Sequence, residues 1–234
     1  RADLRKIPFV TIDGKDAKDF DDAVFCEFSK DGFDLQVAIA DVAEIVKQDS
    51  SIDKEALLRG TSIYFPKRVI PMLPEEISNN LCSLLPSEDR NVLVCKINYN
   101  KEGEINSYEF SEAVINSHKR FTYNEVEFIK QNKDINLSAE ILRSLDALEK
   151  LTKKLLYNRS KRYALEIESS EPTLSFGNKG NISEIFILKR LFAHQMIEEA
   201  MISANICAAK FIKKHLGFGV YRIHEAVSYT HLTL

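Results

Sequence analysis

The chain has 234 residues, 44% hydrophobic and 29% charged, with a formal net charge of −3. That balance is enough for one large globular core and carries no overall basic excess, although local steering depends on where charge sits rather than on its sum. No apolar run approaches the ~20 residues of a membrane-spanning helix, and the first residues lack a signal-peptide pattern. Four cysteines, Cys26, Cys82, Cys95 and Cys207, stand far apart with no C-x-x-C pair. Their spacing argues against a zinc site or redox dithiol and fits buried thiols in a reducing cytoplasm.

In chain order, Phe9 to Asp13 reads as a short strand running into a turn at Gly14. Ala23 to Phe28 and Asp34 to Ala40 read as two strands joined at Lys30-Asp31-Gly32. Ser51 opens a short helix through Leu58 with a capping pattern, ending near Gly60. Thr61 to Phe65 is a strand stopped by Pro66, and Pro71 to Pro86 a loop with a helical turn around Glu75 to Leu81. Asn91 to Asn100 and Glu104 to Asn116 alternate as a long hairpin around Lys101-Glu102-Gly103. Then the period changes. Ser138 to Tyr157 carries Ile141, Leu142, Leu145, Leu148, Leu151, Leu155 and Leu156 on a helical stripe. Arg190 to His215 forms a second long helix whose broad apolar face predicts burial against a sheet. Strands early and helices late predict an α+β layer arrangement.

One stretch demands a chemical explanation. Thr11 to Ala23 reads TIDGKDAKDFDDA, placing Asp13, Asp16, Asp19, Asp21 and Asp22 within ten residues. A solvated acidic loop is one reading. The EF-hand calcium pattern fails, because the ligand positions counted from Asp13 fall on Lys15 and Ala17. A hard divalent cation fits better, since Mg²⁺ prefers oxygen ligands, and two ions can share a carboxylate cluster at a phosphodiester. In an extended chain neighbouring side chains point oppositely, so Asp21 and Asp22 face one ion only if the backbone turns there. Asp13 would close the site from a separate strand end, with Gly14 permitting the turn.

The same stretch resembles the active-site signature of the ribonuclease II/ribonuclease R superfamily, whose catalytic module is the RNB domain. The family spacing D-x5-D-x-D-D falls on Asp13, Asp19, Asp21 and Asp22, leaving Asp16 as the extra acid. VAIADVAEIV, RGTSIYFPKRVIPMLPEEISNNLCSLLPSEDR, FTYNEVE, IEEAMISANICAAKFI and GVYRIHE resemble further blocks of the bacterial ribonuclease R branch, in the same order, from about Arg5 to Glu225. The resemblance implies an α+β RNB-type fold, a mixed or antiparallel sheet with long C-terminal helices. It implies processive 3′-to-5′ hydrolysis of single-stranded RNA to nucleoside 5′-monophosphates with Mg²⁺, in the cytoplasm, by a protein that is a monomer at full length and needs neither DNA nor a membrane.

On the same resemblance, Asp13, Asp19, Asp21 and Asp22 hold metal, with Asp19, Asp21 and Asp22 catalytic and Asp21 the most sensitive. Tyr64 and Tyr123 resemble the aromatic contacts to terminal bases, with Phe65 an alternative to Tyr64. Glu198 or Glu199 resembles the acidic contact to the terminal ribose. Arg90 and Arg222 sit inside recognisable blocks as phosphate contacts. The family's flanking cold-shock and S1 modules and its downstream arginine block, similar to SPIRRY, have no counterpart here. The expectation is therefore a partial RNB domain over residues 1–226, with 227–234, VSYTHLTL, a non-native tail. Two other readings stay open: a fragment that binds RNA without turnover for want of that arginine, and a metal-dependent phosphodiesterase with other substrates.

Overall fold

The computed structural model describes residues 1–65, 68–132, 137–161, 172–177, 181–187 and 190–221. In chain order the elements are β1 (Ala2–Asp3), β2 (Val10–Asp13), β3 (Asp22–Phe28), β4 (Gly32–Ala40), the one-turn helix α1 (Val42–Ile45) and α2 (Ser51–Arg59). A small hairpin, β5 (Ile63–Phe65) and β6 (Arg68–Ile70), leads to a single π-helical turn at Ile77–Leu81. There follow β7 (Asp89–Asn100), β8 (Ile105–Asn116), β9 (Lys119–Thr122), α3 (Tyr123–Asn132) and α4 (Ala139–Lys161). The hairpin β10 (Pro172–Phe176) and β11 (Ile182–Ile187) precedes α5 (Phe192–Leu216).

Seven strands form one sheet in the order β1-β8-β7-β4-β3-β2-β9. Its pairs are antiparallel except β1 with β8 and β2 with β9, which run parallel. Alternation along the strands divides the core into two faces. Val10, Ile12, Val24, Leu35, Val37 and Ile97 point to the helices, where Ile141, Leu145, Leu148 and Leu151 of α4 and Met196, Ile197 and Ala200 of α5 cover them. Phe9, Ala23, Ala38, Val92 and Val94 point the other way, under a lid of loop that includes Phe20, Ile77, Cys82 and Leu84. The α+β architecture expected from the sequence is thus present, and the helical stripe on α4 is its buried face. All four cysteines are free and buried.

Details differ from expectation for local reasons. The cap of α2 is Ser50, whose hydroxyl accepts from the Asp53 N–H, one residue before the expected Ser51. The strand around Tyr64 begins at Ile63 and is exposed along its length; its expected stop, Pro66, lies outside the described residues. The expected turn in the Pro71–Pro86 loop is wound as a π-helix, a form that recurs at functional sites. Gly14 does not adopt a left-handed backbone, and a Cβ there would meet nothing within 4 Å, so the turn does not require glycine. The tail 227–234 and Arg222 lie outside the described residues.

Candidate active site

β2 ends at Asp13 and its antiparallel neighbour β3 begins at Asp22, with Val10 opposite Val24. The two strand ends therefore deliver both carboxylates to one edge of the sheet, and the loop between them carries Asp19 and Asp21. Asp21 stands just outside β3, which lifts the strict alternation that would have set it opposite to Asp22.

Three of these carboxyls are shifted by burial and by their acidic neighbours. Burial, then Asp22, push the Asp13 carboxyl up to about 7; Asp19 and Asp21 add to this while Arg120 opposes it. Burial, then Asp21, push Asp22 up to about 6. Asp21 is raised by burial and by Asp19. Asp13 Oδ2 is buried with no hydrogen-bond partner among the described residues. A buried lone acceptor among like charges is costly unless a cation joins it. In their present rotamers no three Asp, Glu, His or Cys side chains among the described residues converge closely enough to hold an ion. The donor set nonetheless fits a hard divalent cation: only oxygens, partly desolvated, with more negative charge than the neighbouring Arg120 offsets.

The acidic loop is held from outside. Arg120, on β9, donates through Nη2 to the carbonyls of Gly14 and Lys15 at 2.6 and 3.0 Å, and its guanidinium lies 5.5 Å from the centre of the Phe20 ring. At the other end the buried Ser83 hydroxyl donates to the Lys18 carbonyl at 2.8 Å and accepts from the Phe20 N–H at 3.0 Å. Neither residue is conspicuous in the sequence, because each lies far along the chain from the loop it holds.

Both sequence-predicted tyrosines meet this cluster. β9 runs parallel to β2 with Thr122 opposite Asp13, so Tyr123, the next residue, stands beside it. Burial raises the Tyr123 hydroxyl to about 12, with Asp13 and Asp22 contributing. Its position is fixed by a capping box: Glu125 accepts from the Thr122 N–H at 2.6 Å, and the Thr122 hydroxyl accepts from the Glu125 N–H at 3.2 Å. Tyr64 is 69% exposed and lines a cleft of about 790 Å³ together with Asp19, Asp21, Met72 and Asn79.

With this geometry established, comparison with known proteins is decisive. The family model for the RNB domain matches residues 1–233. The chain belongs to the RNB domain family. Ribonuclease R of Vibrio parahaemolyticus is 47% identical over 229 residues, covering 97% of this chain and 27% of the relative. The structure of Mycoplasma genitalium RNase R in complex with ribose methylated single-stranded RNA superposes with a TM-score of 0.93 at 35% identity, over 99% of this chain and 36% of that one. The same enzyme in complex with double-stranded RNA gives a TM-score of 0.89 at 36% identity, over 92% of this chain and 39% of that one. This chain thus spans between a quarter and two-fifths of the length of these relatives.

Within the RNB domain the remaining predicted residues take different places. Glu198 and Glu199 sit on α5, one turn beyond His194, whose ring stacks on Tyr123 at 3.9 Å and 18°. Arg159 of α4 donates to both glutamates, at 3.0 and 2.8 Å, and Arg190 pairs with Glu198. Glu199 is buried against Arg159; Glu198 keeps more surface, which makes it the better placed of the two for an outside partner. Arg90 donates to the carbonyls of Ser83, Asp89 and Asn80 at 2.9, 3.0 and 3.2 Å, so its guanidinium is largely engaged in bracing the turn that carries Ser83. Sequence reading missed Arg120, Ser83, His194 and Arg159. The one local signal available was the T-Y-N-E capping box, which announces α3 and the placement of Tyr123.

Proposed function

We propose that this RNB chain is the catalytic core of an exoribonuclease that degrades single-stranded RNA from its 3′ end, processively, releasing nucleoside 5′-monophosphates with Mg²⁺, as a cytoplasmic monomer. The observation that carries the reading is that two strand ends and the loop between them bring Asp13, Asp19, Asp21 and Asp22 to one end of the sheet, with Tyr123 next to the residue paired with Asp13 and Tyr64 in the cleft lined by Asp19 and Asp21. The names of the relatives, ribonuclease R and RNase R bound to RNA, support the substrate class.

Asp13, Asp19, Asp21 and Asp22 are the residues that would hold the ions. Bound there, Mg²⁺ would lower the pKa of a water and offset charge at the phosphate. The rest of the work belongs to side chains. An Asp21 carboxylate oxygen, the least confined of the four, orients the attacking water and takes its proton; the water oxygen bonds to phosphorus, the P–O3′ bond breaks, and a proton ends on O3′. Tyr64 and Tyr123 hold bases by stacking, which tolerates any sequence. Glu198 accepts a hydrogen bond from the terminal ribose 2′-hydroxyl, the group that separates RNA from DNA. The tail 227–234 takes no part.

An end-labelled RNA ladder, run with and without Mg²⁺, tests the proposal against Asp21→Asn. Stepwise release of mononucleotides that needs the metal and falls by about 10²–10⁴-fold in the variant is the expected result. Binding without cleavage in the unsubstituted chain, or equal cleavage of DNA, would overturn it.

A further inference from the structure

We infer that Ser83 is a positioning residue for the metal-holding carboxylates, one that limits how far the loop carrying Asp19 and Asp21 can spread. The inference rests on the metal reading above. Asp13, Asp19, Asp21 and Asp22 lie within ten residues, and like charges that close repel, so an untethered loop would relieve the repulsion by spreading. What prevents spreading comes from 63 and 65 residues away along the chain. One fully buried hydroxyl brackets Asp19, donating to the residue before it and accepting from the residue after it.

The next residue adds a third tie. The Leu84 N–H donates to the Phe20 carbonyl at 2.8 Å, immediately before Asp21. Between these ties the Phe20 ring is buried beside Ile77, Cys82 and Leu84, so the loop is anchored by a side chain as well as by its backbone. Behind Ser83 stands Arg90, whose Nε and Nη2 donate to the Ser83 and Asn80 carbonyls and stiffen the turn. The path from Arg90 through Ser83 to the backbone on either side of Asp19 is continuous, and every link is a hydrogen bond of 3.2 Å or less. On this inference Arg90 acts on the ions through Ser83. Residues that fix ligand orientation without touching the metal alter metal affinity strongly.

Ser144 supplies the control. Its hydroxyl is also buried and also accepts a backbone N–H, that of Cys26 on β3 at 3.0 Å, but from α4 on the helix-covered face. The experiment is thermal unfolding of the full chain titrated with Mg²⁺ alone, without RNA, for the unsubstituted protein, Ser83→Ala, Ser144→Ala and Arg90→Gln. Ser83→Ala and Ser144→Ala should both lower the metal-free midpoint temperature. Of these two, Ser83→Ala alone should raise the Mg²⁺ concentration of half-maximal stabilisation, by about tenfold. Arg90→Gln should raise it in the same direction by less, and it carries the test by itself if Ser83→Ala does not fold. Equal Mg²⁺ half-points in all four proteins would overturn the inference while leaving the metal reading intact. An unsubstituted chain that gains no stability from Mg²⁺ would overturn both.

Discussion

Two turns of this protein divide their restraints differently between the turn itself and the rest of the fold. The hairpin turn between β7 and β8 is tied largely from within, with one outside brace in Asn158 of α4, which donates to the Glu102 and Gly103 carbonyls at 2.9 and 3.4 Å. Asn100 accepts through Oδ1 from the N–H groups of Glu102 and Glu104, and the Gly103 N–H donates to the Asn100 carbonyl, all within five residues. The acidic turn between β2 and β3 has no comparable set of internal ties. Its main restraints come from Arg120, 105 and 106 residues away, and from Ser83. A turn that only reverses the chain can encode its own shape. A turn that must crowd carboxylates has to be held by groups outside it, because its own side chains push it open.

The turn tied largely from within should break by a local insult. Gly103 has φ +81°, and a Cβ there would sit 2.8 Å from Lys154 Cβ of α4. Gly103→Val should therefore cost about 2–3 kcal/mol, from left-handed strain with a branched side chain. Denaturant unfolding reads the loss. Metal-dependent RNA hydrolysis per folded molecule should stay unchanged, because the turn lies on the strands away from the cluster.

The outside-held turn should break differently. Arg120→Gln keeps a donor but removes the charge that opposes proton uptake by Asp13. The stability loss should be smaller, about 1–2 kcal/mol for weakened charge-assisted bonds to the Gly14 and Lys15 carbonyls. Hydrolysis should fall far more than stability does. Equal proportional losses in the two variants would erase the distinction between the turns.

That contrast also explains what the sequence could reveal. β3, β4, β7, β8, α4 and α5 were legible because alternation or a helical stripe runs long enough to exceed noise. Four-residue elements such as α1 and β9 offer no period to read, and β9 is defined by its parallel partner β2 rather than by its own composition. The four carboxylates were legible as a spacing. Their tethers were not, since Ser83, Arg120 and Arg159 become meaningful only once distant segments meet. Gly14 misled in the opposite direction: glycine after a strand suggests a backbone need that its conformation does not bear out.

A pH series sharpens the same comparison at smaller amplitude. Asp13 and Asp22 are raised from an ordinary 3.8 to about 7 and about 6, so the fold prefers them protonated. Their stabilising contribution is complete below about 4 and is lost as pH rises through 6 and then 7. The metal-free chain should lose thermal stability across that window, and Mg²⁺ should restore it by favouring the ionised forms. Asp13→Asn should flatten the upper part of the profile; Gly103→Val should shift the whole profile down without changing its shape.

The smallest effect tests whether crowding in sequence equals membership of the cluster. Asp16 lies three residues from both Asp13 and Asp19, yet the carboxylates that press on Asp13 are Asp22, Asp19 and Asp21. Asp16 is exposed at the tip of the loop, where water screens its charge. Asp16→Asn should therefore alter stability by less than about 0.5 kcal/mol, the usual range for such a site. Its Mg²⁺ requirement, measured in the same titration, should match the unsubstituted chain. A large rise in that requirement would mean that the whole loop acts as an electrostatic unit, and that the outside tethers hold the turn against five charges rather than four.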